Sequence, residues 1–332
     1  MDTALHRWAE DRARTLDRAP APDRASHWQA LPVEASHRRF YRLAFSGSGG
    51  RRSFVAMASP PELENNDQFV ALAELFADHA IGVPRILAAD REAGFFLLTD
   101  LGRRHFSDAY RDGGTDAAVS GALETLIRLQ RIDDPRIPPY TRQRLVDELA
   151  VYEQWFLQGL LGVPAPDEVH EAFATLVAAA CHQPACCVHR DFHARNLLLT
   201  AEGGVGVVDF QDALMGPATY DLASLLRDCY HTFPETEVAR WRDAYLDRTE
   251  LDLDRARFAH DLDLTALQRQ LKAVGIFARL HLRDGRDSHL PHIVPVLTRI
   301  AEVAGAYPRL APLARHVSVM LPLARRRLET NP

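Results

Sequence analysis

The stretch that most constrains the fold is residues 186–223. Two short apolar runs, Cys186-Cys187-Val188 and Leu197-Leu198-Leu199, flank the polar insert His189-Arg190-Asp191-Phe192-His193-Ala194-Arg195-Asn196. A Gly-rich turn, Glu202-Gly203-Gly204, leads to a third run, Val205 to Val208, which ends on Asp209. Short β-rich runs separated by turn residues predict strands. A carboxylate at the end of a buried strand needs a partner or a task, because burying it unpaired is costly.

The order His-x-Asp-x-x-x-x-Asn, followed by an Asp after a strand, is the layout that phosphoryl transfer needs. Asp191 is the candidate base that orients an acceptor hydroxyl and takes its proton. Asn196 and Asp209 are the candidate Mg²⁺ ligands, an amide oxygen and a carboxylate being suitably hard donors. Each residue alone has a plainer reading as a turn or cap, and the spacing of the set favours the chemical one. His189 is expected to brace the loop, although it can itself serve as a base. His193 is either a substrate contact or a variable loop side chain. His189, Asp191, His193 and Asp209 also have the composition of a metal-hydrolase cluster, which leaves Asn196 without a role. Beyond Asp209, Asp212 faces metal or substrate hydroxyl. Asp221 opens a helix, as a cap or as a brace for the catalytic loop.

The 332-residue chain is long enough for two modest cores, so two lobes are expected. A net charge of -6 gives no global attraction to nucleic acid or to anionic membrane. Lys272 is the only lysine. No Walker A loop is therefore available, and a pyridoxal Schiff base would have Lys272 alone. The four cysteines, Cys181, Cys186, Cys187 and Cys229, have neither C-x-x-C nor zinc spacing. They are expected to be buried free thiols in a reducing compartment. The N-terminus lacks an apolar signal region, and no run approaches the roughly 18 apolar residues of a membrane span. A cytoplasmic protein without membrane or nucleic-acid partners is the expectation.

Helical periodicity predicts a helix over 2–18, stopped by Pro20 and Pro22. Strands are expected over 28–33, 38–45 and 53–58, with Gly47-Ser48-Gly49-Gly50 as a hairpin loop. A helix over 66–80 is followed by strands over 85–89 and 95–99. After Asp100-Leu101-Gly102 the pattern becomes helical, at 117–131, 141–160 and 167–180. It is interrupted by the strands around 186–209 and resumes from about Tyr220. The expected domains are thus 1–102, a β-rich lobe, and 103–332, an α-rich lobe.

The segments from His189 to Asn196, Asp209-Phe210-Gln211-Asp212-Ala213, and Gly216 to Ala223 resemble the aminoglycoside phosphotransferase family of small-molecule kinases. The resemblance implies an α+β, protein-kinase-like two-lobed fold, with ATP and Mg²⁺. It assigns Asp191 as base and Asn196 and Asp209 as metal ligands. It also makes residues 96–102 the last strand of the first lobe and a hinge, where the backbone of Thr99, Asp100 and Leu101 would bind adenine. A narrower resemblance covers nearly the whole chain. Ser36-x-Arg38-Arg39-Phe40-Tyr41-Arg42, Val55-x-Met57-x-x-Pro60-Pro61-Glu62 and the run from Gln270 to Arg279 are similar to bacterial anomeric sugar kinases of cell-wall recycling. That subfamily implies phosphate transfer to the C1 hydroxyl of an N-acetylated amino sugar, by a protein expected to be monomeric.

The chain departs from the general kinase pattern in two places. Glu34-Ala35-Ser36-His37-Arg38-Arg39 replaces the Gly-rich loop, and Met57 stands where a phosphate-binding lysine is usual. Ser36, Arg38 and Arg39, with Arg42, are the candidates for handling phosphate beside Mg²⁺; the plainer reading is a solvated strand. Without that lysine, the helix glutamate that usually pairs with it is not assigned either; Glu64 and Glu74 are the candidates. On the acceptor side, Arg269, Lys272, Arg279 and Arg283 share one helical face. This is either a solvated face or the meeting place of an anionic sugar substituent, with Arg279 the representative candidate beside His193, Arg195 and Asp212. A polycationic aminoglycoside would call for acids instead, which Asp147, Glu148, Glu153 and Asp228 can supply. The expectation is an ATP-dependent sugar kinase. An aminoglycoside or other small-alcohol kinase, and a nucleotide-binding pseudokinase, are the alternatives.

Overall fold

The computed structural model describes residues 3–16, 26–32, 36–47 and 50–329. The stop at Pro20 and Pro22, the end of the first expected strand at Val33, Glu34-Ala35 and the hairpin tip Ser48-Gly49 lie outside the described residues. Contacts divide the chain into two units. The first is Met1–Gly121 with Arg195–Asp212, and the second is Ala122–Ala194 with Ala213–Pro332.

The first unit is built on a five-stranded antiparallel sheet in the order β1-β2-β3-β5-β4. The strands are β1 Ser26–Ala30, β2 Arg39–Gly47, β3 Gly50–Ala58, β4 Ile86–Asp90 and β5 Phe95–Thr99. Helix α1 (Thr3–Leu16) buries Leu5, Ala9 and Ala13 in one cluster with Leu43, Ala56 and Leu97 of the sheet. Helix α2 (Asn66–Asp78) connects β3 to β4. Asn65 caps it by accepting the Gln68 N–H at 3.0 Å. The β4–β5 hairpin turns through Gly94, whose φ of 69° is cheap only for glycine. Three shorter strands make a second sheet, β6-β8-β9 in order: β6 Arg104–His105, β8 Leu197–Leu199 and β9 Val205–Val207. Two elements that sequence periodicity does not predict lie here, β6 and the short helix α3 (Phe106–Arg111).

Helix α4 (Thr115–Gln130) runs from the first unit into the second. The second unit is mostly helical, around one large core that contains Leu149, Phe156, Leu176, Val274 and Leu313. Helix α5 (Arg142–Val151) continues without a break as a π-helix over Tyr152–Leu161, and Gly162 ends it at φ 72°. Periodicity predicts one α-helix over 141–160, and the structure divides it into an α and a π segment. After α6 (Asp167–Cys181) comes the strand pair β7 (Ala185–Val188) and β10 (Leu214–Pro217), antiparallel, with Val188 opposite Leu214. The rest is α7 (Tyr220–Leu226), α8 (Glu235–Leu246), α9 (Arg255–Asp284), α10 (Leu290–Gly305) and α11 (Ala311–Glu329). No described helix is long and apolar enough to cross a membrane. Cys186 and Cys187 are buried free thiols as expected, whereas Cys181 is exposed.

Candidate active site

In the second unit, β7 delivers the chain to His189, which is fully buried. The backbone then enters the left-handed region at Arg190, φ 78°. A non-glycine residue there is strained and must be held by its surroundings. Asp221 holds it. This buried carboxylate, in the first turn of α7, accepts the N–H of His189 at 2.6 Å and of Arg190 at 2.9 Å. The Asp191 N–H donates to Nδ1 of His189 at 3.3 Å, so the histidine side chain braces the loop from within. Burial outweighs the two N–H bonds and Arg269, and pushes Asp221 up to about 7.

The Asp191 side chain keeps 42% of its surface open. Its desolvation alone would raise its pKa. Lys272, His193, Arg269 and Arg190 more than offset that and hold the carboxyl far below the usual carboxylate range. Arg269 Nη2 lies 3.9 Å from Asp191 Oδ1 and donates to the Arg190 carbonyl at 3.3 Å. Lys272 Nζ is fixed 3.1 Å from Glu148, which also takes the Arg190 guanidinium at 2.5 Å and the Tyr140 hydroxyl. Glu148 is thereby occupied by cations of its own chain. Arg279 sits ten residues beyond Arg269, about 15 Å along α9 at 1.5 Å per residue. The cations on the α9 face that act on Asp191 are therefore Arg269 and Lys272, and Arg279 is partly buried farther along the same helix. The backbone N–H of His193 donates to the Asp191 carbonyl at 3.0 Å.

In the first unit, the β8–β9 hairpin brings the other motif residues together. Leu197 pairs with Val207, and the Val208 N–H donates to the Asn196 carbonyl at 3.0 Å. That register places Asn196 and Asp209 at the same end of the hairpin, with Asn196 Nδ2 3.5 Å from Asp209 Oδ2. Asp209 is the second left-handed non-glycine of the motif, φ 66°. The next residue anchors it: the buried Phe210 ring stacks on Phe69 at 5.4 Å and meets Phe76 at 5.8 Å, both on α2. Gln211 donates to Asp209 Oδ1 at 2.7 Å. Among the described residues no three His, Cys, Asp or Glu side chains are grouped to hold a metal. A pair of oxygen donors suits Mg²⁺, which usually takes one or two carboxylates and completes its shell with substrate phosphates and water. Arg195 accepts the His105 ring N–H on its carbonyl at 2.9 Å.

The candidates for handling phosphate are placed differently in this unit. Met57 is fully buried. Arg38, 2% exposed, lies over the Phe69 ring at 5.1 Å. Its Nε donates to Ser59 at 3.1 Å, and its Nη2 is 3.4 Å from Glu64. Ser36 completes the cluster: its hydroxyl donates to Glu64 at 3.1 Å and accepts the Arg38 N–H at 3.0 Å. Burial lowers the pKa of Arg38, against the raising influence of Glu64, Asp209 and Asp212, so it shares the electrostatic neighbourhood of the candidate metal ligand. Glu64, just before α2, is the acid that pairs with this cation. Arg39, the next residue, points to the exposed face, as strand alternation requires.

Arg42 is committed elsewhere. It forms a two-pronged pair with Asp100, at 2.6 and 3.0 Å, and donates to the Gly102 carbonyl at 2.5 Å. Burial would raise Asp100, but the Arg42 hydrogen bonds, with those of Ser53 and Gly102 N–H, bring its pKa down. The expected hinge is thus pinned by a side-chain pair 58 residues apart in sequence. The Thr99 N–H is engaged by the Arg85 carbonyl at 2.9 Å, and its hydroxyl accepts the Arg85 N–H at 2.8 Å. Leu101 packs on Gly206, where a Cβ would come within 3.0 Å of the leucine side chain.

Fold and motif residues together define a kinase of the small-molecule, protein-kinase-like class. The chain belongs to the phosphotransferase enzyme family (APH), whose model matches residues 27–259. It is 39% identical over 304 residues to an N-acetylmuramate/N-acetylglucosamine kinase of Pseudomonas aeruginosa, covering 87% of this chain and 89% of that protein. It is 33% identical over 323 residues to the protein of the same name from Pseudomonas putida, covering 94% of each. Solved structures share the fold at lower identity. Choline kinase LicA from Streptococcus pneumoniae matches with a TM-score of 0.63 at 12% identity, over 92% of this chain and 100% of that one. An ADP-bound aminoglycoside phosphotransferase matches with 0.54 at 12% identity, over 91% and 99%.

Proposed function

We propose that this enzyme transfers the γ-phosphate of ATP to the anomeric C1 hydroxyl of N-acetylmuramate and N-acetylglucosamine, in the recycling of cell-wall sugars. The observation that carries the acceptor is the name shared by relatives that align over 87% and 94% of the chain. The cations set around Asp191 add that an acidic sugar is a suitable guest. Residues 1–102 serve as the nucleotide-binding lobe and 103–332 as the catalytic and sugar-binding lobe. The protein works as a cytoplasmic monomer on small molecules.

In this reading Asn196 and Asp209 hold Mg²⁺, which when bound neutralises charge on the nucleotide phosphates. The backbone of Thr99, Asp100 and Leu101 meets adenine. Thr99 contributes through its carbonyl, since its N–H is already engaged. Arg38, held by Glu64 and Ser36, faces phosphate, with Arg39 outside it. Asp191 orients the C1 hydroxyl and receives its proton. A carboxyl held so far below its usual range is a weak base, so positioning is its larger contribution, as suits a loose phosphoryl-transfer transition state. His193, Arg195, Asp212 and Arg279 meet the sugar, Arg279 through an acidic substituent.

An ADP-release screen across amino sugars and aminoglycosides tests this, followed by NMR location of the phosphate. Turnover with N-acetylated amino sugars and phosphate on C1 are expected. Phosphate on another oxygen, or turnover only with aminoglycosides, would reject the reading, and no ADP from any acceptor would favour a pseudokinase.

A further inference from the structure

Asp228 is a buried carboxylate that the phosphate-handling residues do not use. Its Oδ2 accepts the Ala194 N–H at 3.4 Å and its Oδ1 accepts the Tyr230 N–H at 3.0 Å. One carboxylate therefore ties the tail of the catalytic loop to residue 230. The imidazoles of His193, at 5.6 Å, and His292, at 5.0 Å, stand T-shaped to the Tyr230 ring. Phe277 at 5.9 Å and His289 at 6.1 Å back it from the interior, where both are buried. Tyr230, His193 and His292 are half-buried and keep part of their surface open. His193 is two residues from Asp191 and hydrogen-bonded to it through the backbone. A half-buried aromatic ring, flanked by two imidazoles, is thus tied to the loop that carries the candidate base.

We infer that Tyr230, flanked by His193 and His292, is the platform on which the acceptor's pyranose ring stacks, and that it decides which alcohols reach Asp191. The inference rests on the amino-sugar reading above. A pyranose presents a face of C–H groups that packs on an aromatic ring, while its hydroxyl and acetamido groups lie at the edge. There the two imidazoles offer a donor or an acceptor each. Ring and backing are locked before substrate arrives, so little ordering is needed on binding.

The test is steady-state kinetics of Tyr230→Leu, with sugar varied at saturating ATP and ATP varied at saturating sugar. The sugar KM is expected to rise about ten-fold or more while the ATP KM moves less than about two-fold. If wild-type enzyme phosphorylates no amino sugar, the functional reading fails and takes the platform with it. If it does, and the Tyr230→Leu sugar KM stays within about two-fold or both KM values rise in step, the platform alone is refuted. Should Tyr230→Leu not fold, Tyr230→Trp replaces it. A shift of at least about three-fold in the kcat/KM ratio between the two amino sugars is expected, and an unchanged ratio overturns the inference.

Discussion

Asp221 is the residue on which the geometry of the catalytic loop depends. It accepts two buried N–H groups, and one belongs to the strained Arg190. Asp221→Ala leaves both donors without this acceptor. At about 1–3 kcal/mol for each buried group, the loss is about 2–6 kcal/mol. That is a large share of the about 5–15 kcal/mol that keeps a typical domain folded. The urea midpoint is expected to fall accordingly, and kcat to fall at least about 100-fold as Asp191 leaves its position. The same carboxylate sets a pH dependence. Burial raises its folded-state pKa from 3.8 to about 7, above the unfolded value. A carboxyl that holds its proton more tightly when folded contributes stability that is complete below about pH 4 and lost as pH rises through about 7. At about 1.4 kcal/mol per pH unit, the loss is bounded at about 4 kcal/mol. Asn does not titrate, so Asp221→Asn is the reference. Wild-type unfolding free energy, measured against that variant by urea titration, should decline between about pH 4 and pH 8. A difference flat to within about 0.5 kcal/mol refutes the titration. Asp221→Ala with wild-type midpoint and kcat refutes the brace.

Gly275→Ala tests the crossing of α9 over the α-to-π junction. Its Cβ would lie 2.5 Å from the carbonyl carbon and oxygen of Val151 and 2.6 Å from the nitrogen of Tyr152. All three are backbone, so the helices must part. Overpacking of about 1–3 kcal/mol or more opposes a helix-propensity gain of about 1 kcal/mol. A lowered urea midpoint is expected, and a raised one would show that the approach is not limiting. Arg38→Met keeps the buried stem but removes the guanidinium. The ATP KM should rise about ten-fold with sugar KM unchanged, and unaltered ATP kinetics would remove Arg38 from phosphate handling.

What the sequence could convey follows from how local each feature is. Asp191, Asn196 and Asp209 stand out as candidates because one short segment carries all three with their strands and turn, and the approach of Asn196 to Asp209 follows from that hairpin. Phe95–Thr99 was predicted residue for residue, as an apolar run bounded by a glycine and an aspartate turn. The Arg42–Asp100 pair was not legible, since its members are 58 residues apart. Nor was the π-helix: over ten residues its apolar pattern hardly differs from that of an α-helix, and Gly275, which lies against its start, is 123 residues beyond Tyr152 in the chain. Strand β10 contains Gly216 and Pro217, which argue against a strand until β7 is seen beside it. The basic face of α9 was visible as a periodicity. Which of its cations act on Asp191 is a matter of height along the helix, which periodicity does not encode.

The absence of a lysine on β3 changes what holds the first unit's chemistry in place. A lysine is a mobile point charge, whereas Arg38 is a planar fork gripped on two edges and one face. Ser59 and Glu64 take its edges and Phe69 its face. Phe69 is also the ring on which Phe210 stacks, next to Asp209. The cation and the candidate metal ligand are therefore registered on one side chain of one helix, α2. Glu64, two residues before that helix, receives its remaining hydrogen bonds from Ser36 and His37 at the entry to β2. Moving α2 would shift Arg38 and Asp209 together, because both are anchored through Phe69. Met57, opposite Phe40 of β2, is buried in the sheet and packs as an ordinary core residue.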